Sequence, residues 1–142
     1  MAYLLDTNVI SELVRPRPDA RVTAWVAGQS TLDLHLSVLT LGEVGQGVSA
    51  MAGGARRDQL ARWLEYDLPR QFLGRLLGVD AEVARRWGEL GAAARLGGRP
   101  LPTVDGLLLA TAAVHGLALA TRNARDCAGR GVDVVDPWHA SG

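Results

Sequence analysis

Three carboxylates in this 142-residue chain stand alone in apolar surroundings, and their isolation marks them for chemistry. Asp6 follows the run Tyr3-Leu4-Leu5, with no other charge before Glu12. Glu43 is the only charged residue between Asp33 and Arg56, and Asp105 is the only one from Thr103 to Val114. A carboxylate so placed must be paired, hydrogen-bonded or bound to a cation. Two carboxylates about 5 Å apart, at an effective dielectric near 20, repel by about 3 kcal/mol. Without a cation one of them takes up a proton. All-oxygen ligation favours Mg²⁺ or Mn²⁺ over zinc or copper. Such a site suits phosphodiester hydrolysis, in which a metal polarises the phosphoryl oxygen and acidifies a bound water.

Each acid also has a plainer use. Asp6 can cap a following helix, Asp105 can sit favourably in a first helical turn, and Glu43 can pair with an arginine. Competing chemistries lack their residues: there is no Walker A loop, no G-x-G-x-x-G and no G-x-S-x-G. His35, His115 and His139 are widely separated and read as structural or surface residues.

The elements that must position the acids follow from apolar periodicity. Residues 3–5 read as a short buried strand and 7–14 as a helix stopped by Pro16 and Pro18. Asp19 caps a helix presenting Val22, Trp25 and Val26. Residues 34–37 read as a strand, and Thr40 opens a helix to about Met51. An Arg-rich amphipathic helix spans 56–73, interrupted near Pro69. A strand at 76–79 precedes a helix capped by Asp80, with Val83, Trp87, Leu90 and Ala94 on its core face. The helix 103–115 is apolar nearly all round, and Gly116 turns it into a strand at 117–121, with a last strand at 132–135. Alternating strands and helices predict one α/β domain over 1–142, with a mostly parallel sheet of four to five strands flanked by helices. In an open parallel sheet ligands bind at the carboxyl ends of the strands, where Asp6 and Thr121 both fall.

Composition is that of a globular protein, with 48% hydrophobic and 21% charged residues. No secretory leader or membrane span is expected, and the single cysteine, Cys127, fits a reducing compartment, so the expected setting is the cytoplasm. All fifteen basic residues are Arg and the formal net charge is zero, so any nucleic-acid contact must come from a local patch.

The segment Leu4-Leu5-Asp6-Thr7-Asn8-Val9-Ile10-Ser11-Glu12 resembles the opening signature of PIN-domain ribonucleases, especially VapC-type toxins of bacterial toxin–antitoxin pairs. Ser37-Val38-Leu39-Thr40-Leu41-Gly42-Glu43-Val44 is similar to that family's second acidic block, and Asp105 within 105–112 to its third. Residues 118–126 and 131–138 resemble its C-terminal end, so the blocks run in order from 4 to 138.

The resemblance implies a homodimeric, Mg²⁺-dependent endoribonuclease, with Mn²⁺ able to substitute, restrained by a small VapB-like antitoxin whose C-terminal segment lies over the active site. It assigns Asp6, Glu43 and Asp105 to the metal, with Thr7, Asn8 and Thr121 as supporting polar groups and Arg122 as a guide for the RNA backbone. The family's fourth acid commonly follows Thr-Arg, where this chain has Asn123; Asp126 is the substitute acid to consider. Two other readings stay open: an RNA-processing PIN nuclease without an antitoxin, and an inactive PIN-fold binding module. Trp63, Leu64 and Phe72 are candidates for an antitoxin groove.

Overall fold

Leu4 and Leu5 face opposite ways on the first strand, β1 (Tyr3–Leu5), and each seeds a separate hydrophobic core. The computed structural model describes residues 1–140. After β1 the chain enters α1 (Thr7–Leu13), and Asp19 caps α2 (Ala20–Ala27) by accepting the Arg21 N–H. Glu12, only 6% exposed, ties the corner between them: its Oε2 accepts the Asp19 N–H at 2.9 Å. This buried acid has a local structural partner.

A single 3₁₀ turn (Thr31–Asp33) leads into β2 (Leu34–Ser37) and α3 (Val38–Ser49). Ser37 accepts the Leu39 N–H, so α3 starts at Val38 rather than at Thr40 as expected. The segment expected to break near Pro69 stays helical. It comprises α4 (Ala55–Arg62), one π turn (Trp63–Asp67) and α5 (Leu68–Gln71), and the Leu68 N–H reaches back to the Trp63 carbonyl. Proline lacks an N–H and crowds the carbonyl four residues before it; the widened turn absorbs that crowding without a break.

The next strand, β3 (Leu76–Leu77), is shorter than expected because Gly78 and the exposed Val79 leave the sheet. Asp80 caps α6 (Ala81–Leu96) through the Val83 N–H. In α7 (Thr103–His115) apolar residues cover every face because the helix lies against both the sheet core and α6. Gly116, at φ +66°, makes the left-handed turn into β4 (Ala118–Ala120). A short α8 (Ala124–Cys127) and β5 (Val134–Val135) complete the described elements. The expected strands at 117–121 and 132–135 are thus each trimmed to their paired residues.

All strands pair in parallel, in the order β3-β2-β1-β4-β5. One core packs Leu5, Val9, Ile10, Leu36, Val44 and Phe72; the other packs Leu4, Leu108, Leu109, Leu119 and Cys127 on the opposite face. Burying each such Leu, Ile or Phe contributes about 1.5–3 kcal/mol. Trp87 departs from its expected core position: it is 38% exposed and lies against Gly106 of α7, where a Cβ would sit 3.0 Å from its indole. Among the described residues no helix is long and apolar enough to cross a membrane.

Candidate active site

Strand order reverses at β1, which pairs with β2 on one side and β4 on the other. A parallel sheet opens a crevice at the carboxyl ends of strands flanking such a switch point. Leu5 is in register with Ala120, so the next residues on each strand, Asp6 and Thr121, emerge side by side into that crevice. Both are buried, at 5% and 0% exposure.

Asp6 is held from three directions. Its Oδ1 accepts the Thr7 N–H at 2.6 Å, which makes it the helix cap of α1. Thr121 Oγ1 donates to Asp6 Oδ2 at 2.6 Å, and Asn8 Nδ2 lies 3.5 Å from the same oxygen. The cap of α1 is thus also bonded to the end of β4. Asn8 Oδ1 in turn accepts the Arg122 N–H at 3.3 Å, and Thr121 Oγ1 accepts the Asn123 N–H at 3.0 Å. The turn after β4 is thus laced to the turn after β1.

Thr7 connects the second acid. Its hydroxyl donates to Glu43 Oε1 at 2.5 Å and lies 3.0 Å from Thr40 Oγ1. Glu43 has no arginine partner within ion-pair distance among the described residues, so the ion-pair alternative does not hold. Thr40 is fully buried here, a supporting residue that its reading as a mere helix opener missed. Its pattern signal was a hydroxyl three residues before a lone Glu, which puts both on one helix face.

Asp105 lies in the first turn of α7 and half-buried at the crevice. Burial raises its pKa above the ordinary carboxylate value, and the charges of Glu43 and Asp126 raise it further. Asp6 is also raised, chiefly by burial; its bonds from Thr121 and Thr7 pull it back, while Asp105 and Glu43 push it up. Asp105 and Glu43 thus act on Asp6, and Glu43 and Asp126 act on Asp105, from α1's cap, α3, α7 and α8. Asp126, exposed on α8, is close enough to take part, whereas Asn123 adds no charge and serves through its backbone. Cys127 is buried, its thiol pushed up to about 12, which makes it a core residue without nucleophilic character.

The donor set is all oxygen, and a divalent cation would offset the repulsion. Among the described residues no three acids, His or Cys close on one point as arranged. Any divalent cation held here would complete its coordination with water. At the rim, the Arg122 guanidinium stacks 5.0 Å over the buried Trp138 ring.

A groove of about 560 Å³, lined by none of these acids, is walled by Ile10, Leu13, Val26, Trp63, Leu68 and Phe72 among others. Trp63 and Phe72, two of the three residues considered for a partner groove, line it. Leu64 instead packs toward Gly45 of α3.

The PIN domain profile matches residues 3–128. A VapC ribonuclease, Y4jK from Sinorhizobium fredii, is 38% identical over 95% of this chain and 96% of its own length. The crystal structure of FitAcB from Neisseria gonorrhoeae superposes with a TM-score of 0.92 at 37% identity, covering 97% of this chain and 99% of that one. A toxin–antitoxin complex from Klebsiella pneumoniae matches at a TM-score of 0.70 and 26% identity, over 98% of this chain and 100% of the other. With the profile spanning most of its length and a relative of this identity matching end to end, the chain belongs to the PIN domain family.

Proposed function

We propose that the chain is a divalent-metal-dependent endoribonuclease, the toxin of a toxin–antitoxin pair, acting on cytoplasmic RNA as a homodimer. The observation that carries this reading is the burial of Asp6 at the sheet's switch point, within the repulsive field of Asp105 and Glu43. The ribonuclease and toxin–antitoxin descriptions of its relatives support the substrate and the partner.

Asp6, Asp105 and Glu43 would hold Mg²⁺ or Mn²⁺, with Asp126 supplying the fourth acid in place of Asn123. When bound, the metal polarises the scissile phosphate and lowers the pKa of a water. Thr121 and the Thr7 N–H fix Asp6 so that neither oxygen rotates away. Thr7 does the same for Glu43. Asn8 anchors the Arg122 backbone, and Trp138 supports its guanidinium, so a planar cation stands at the rim where an RNA phosphate would approach. This is the local positive group that the neutral overall charge requires.

The antitoxin would occupy the apolar groove beside Trp63 and Phe72, which suits the nonpolar face of a helix. Incubating the purified chain with RNA tests the proposal: cleavage should appear with Mg²⁺ or Mn²⁺ and stop with EDTA. Cleavage that persists in EDTA would overturn the metal assignment, and no cleavage of any RNA pool would overturn the enzymatic one.

A further inference from the structure

Arg99 sits in the connection between α6 and α7, six residues before Asp105, with its backbone fixed by the end of α6. The Gly98 N–H donates to the Arg95 carbonyl at 3.2 Å and the Arg99 N–H to the Ala94 carbonyl at 2.9 Å. With Gly98 at φ +71°, this pair of bonds is a Schellman closure. Pro100 and Pro102 then stiffen the path into α7.

From this fixed base the Arg99 side chain reaches across to α8. One guanidinium nitrogen donates to the Arg125 carbonyl at 3.1 Å and the Asp126 carbonyl at 3.4 Å, and the other to the Ala128 carbonyl at 3.4 Å. These are carbonyls at the end of a four-residue helix, which cannot hold itself together by its own backbone bonds. Asn123 provides no side-chain cap, and Gly129 and Gly131 follow at positive φ. Arg130 Nε adds a second bond to the Asp126 carbonyl at 2.8 Å. A guanidinium is a donor-only fork, suited to several carbonyls at once in a way that an ammonium is not.

We propose that Arg99 is a positioning residue of the nuclease site: its fork on the carbonyls of 125, 126 and 128 clasps α8 to the entry of α7 and keeps Asp126 within reach of Asp105. Arg99 touches neither RNA nor metal in this role; it sets the spacing between two acids carried on separate elements. The electrostatic coupling of Asp105 to Asp126 agrees with that spacing. The inference rests on the proposed metal site and adds a residue that no acidic motif would reveal.

The test is Mn²⁺ titration, followed by its paramagnetic resonance, of the intact protein and of Asp6→Asn, Asp126→Asn, Arg99→Ala and the Arg99→Ala/Asp126→Asn double variant. Arg99→Ala should weaken Mn²⁺ binding by about tenfold, as losing an outer support does. The double variant should bind no more weakly than Asp126→Asn alone. Hydrogen exchange at the Cys127 and Ala128 amides should quicken in Arg99→Ala, while the rest of the sheet keeps its protection. Unchanged Mn²⁺ affinity in Arg99→Ala, beside a clear loss in Asp6→Asn, would overturn the clasp and leave the metal site standing. So would a full extra loss in the double variant, which would mean that Arg99 acts by another route. Parent-like binding in Asp6→Asn would instead overturn the metal reading, and this inference with it.

Discussion

Thr121 Oγ1 donates to Asp6 Oδ2 at 2.6 Å across 115 residues of sequence, and this bond joins the two strands that flank the switch point. The hydroxyl also accepts the Asn123 N–H, so one atom orients the central acid and the turn that carries Arg122. Replacing it by an isosteric apolar group separates those duties from packing. Thr121→Val should cost about 1–3 kcal/mol, the penalty for leaving a buried carboxylate and an N–H short of a partner. Denaturant unfolding gives that number, and RNA cleavage should fall with it even where the variant remains folded.

Asp105 offers the clearest dependence on pH. Its pKa is raised in the fold, so the native state binds a proton more readily than the unfolded chain. Stability tied to that proton is present below the ordinary carboxylate pKa and is lost as pH rises through the raised value. Asp105→Asn should therefore be more stable than the parent at neutral pH without metal, and the advantage should vanish in acid. No side chain donates a hydrogen bond to Asp105 among the described residues, so the amide forfeits little. Melting curves at pH 3 and pH 7 check the sign; saturating Mg²⁺ should reverse it by stabilising the parent alone.

Gly106 beside Asp105 lets α7 approach the Trp87 indole closely. A Cβ there would meet Trp87 Cδ1 and Nε1 at 3.0 Å. Gly106→Ala should lose about 1–3 kcal/mol through overpacking. In a Trp87→Ala background the same change should be neutral or favourable, because alanine is the better helix former by about 1 kcal/mol. A double-mutant cycle measures the coupling.

How much of this was legible beforehand depends on the range of the interaction. The acid at Asp6, the strand at 34–37 and the caps at Asp19 and Asp80 are local, and residue type and period expose them. Register is not local: that Leu5 pairs with Ala120, and so places Asp6 beside Thr121, follows from strand order. Thr40 reads only as a helix opener until α3 turns it toward Thr7. Trp87 fits a core stripe by spacing, yet α7 meets it through a glycine and leaves its indole partly in solvent. The π turn was hidden because Pro69 signals crowding but not how the chain relieves it. Arg99 carried no signal, since its partners are backbone carbonyls in a distant turn.

The groove prediction concerns the partner alone. Trp63→Ala should weaken antitoxin binding by about 2 kcal/mol or more, as truncating a buried aromatic anchor does. Cleavage by the free protein should stay unchanged, because none of the groove's lining residues is among the four acids. Equal affinity for parent and variant, measured by calorimetry with the purified antitoxin, would remove the groove from the account.

The most direct test is RNA cleavage by Asp6→Asn in saturating Mg²⁺, with circular dichroism confirming that the variant is folded. The buried acid at the switch point is central to the proposed chemistry, and its amide keeps the shape and a cap for α1 while removing the charge. Loss of cleavage in a folded protein is the predicted result. Undiminished cleavage would contradict the account.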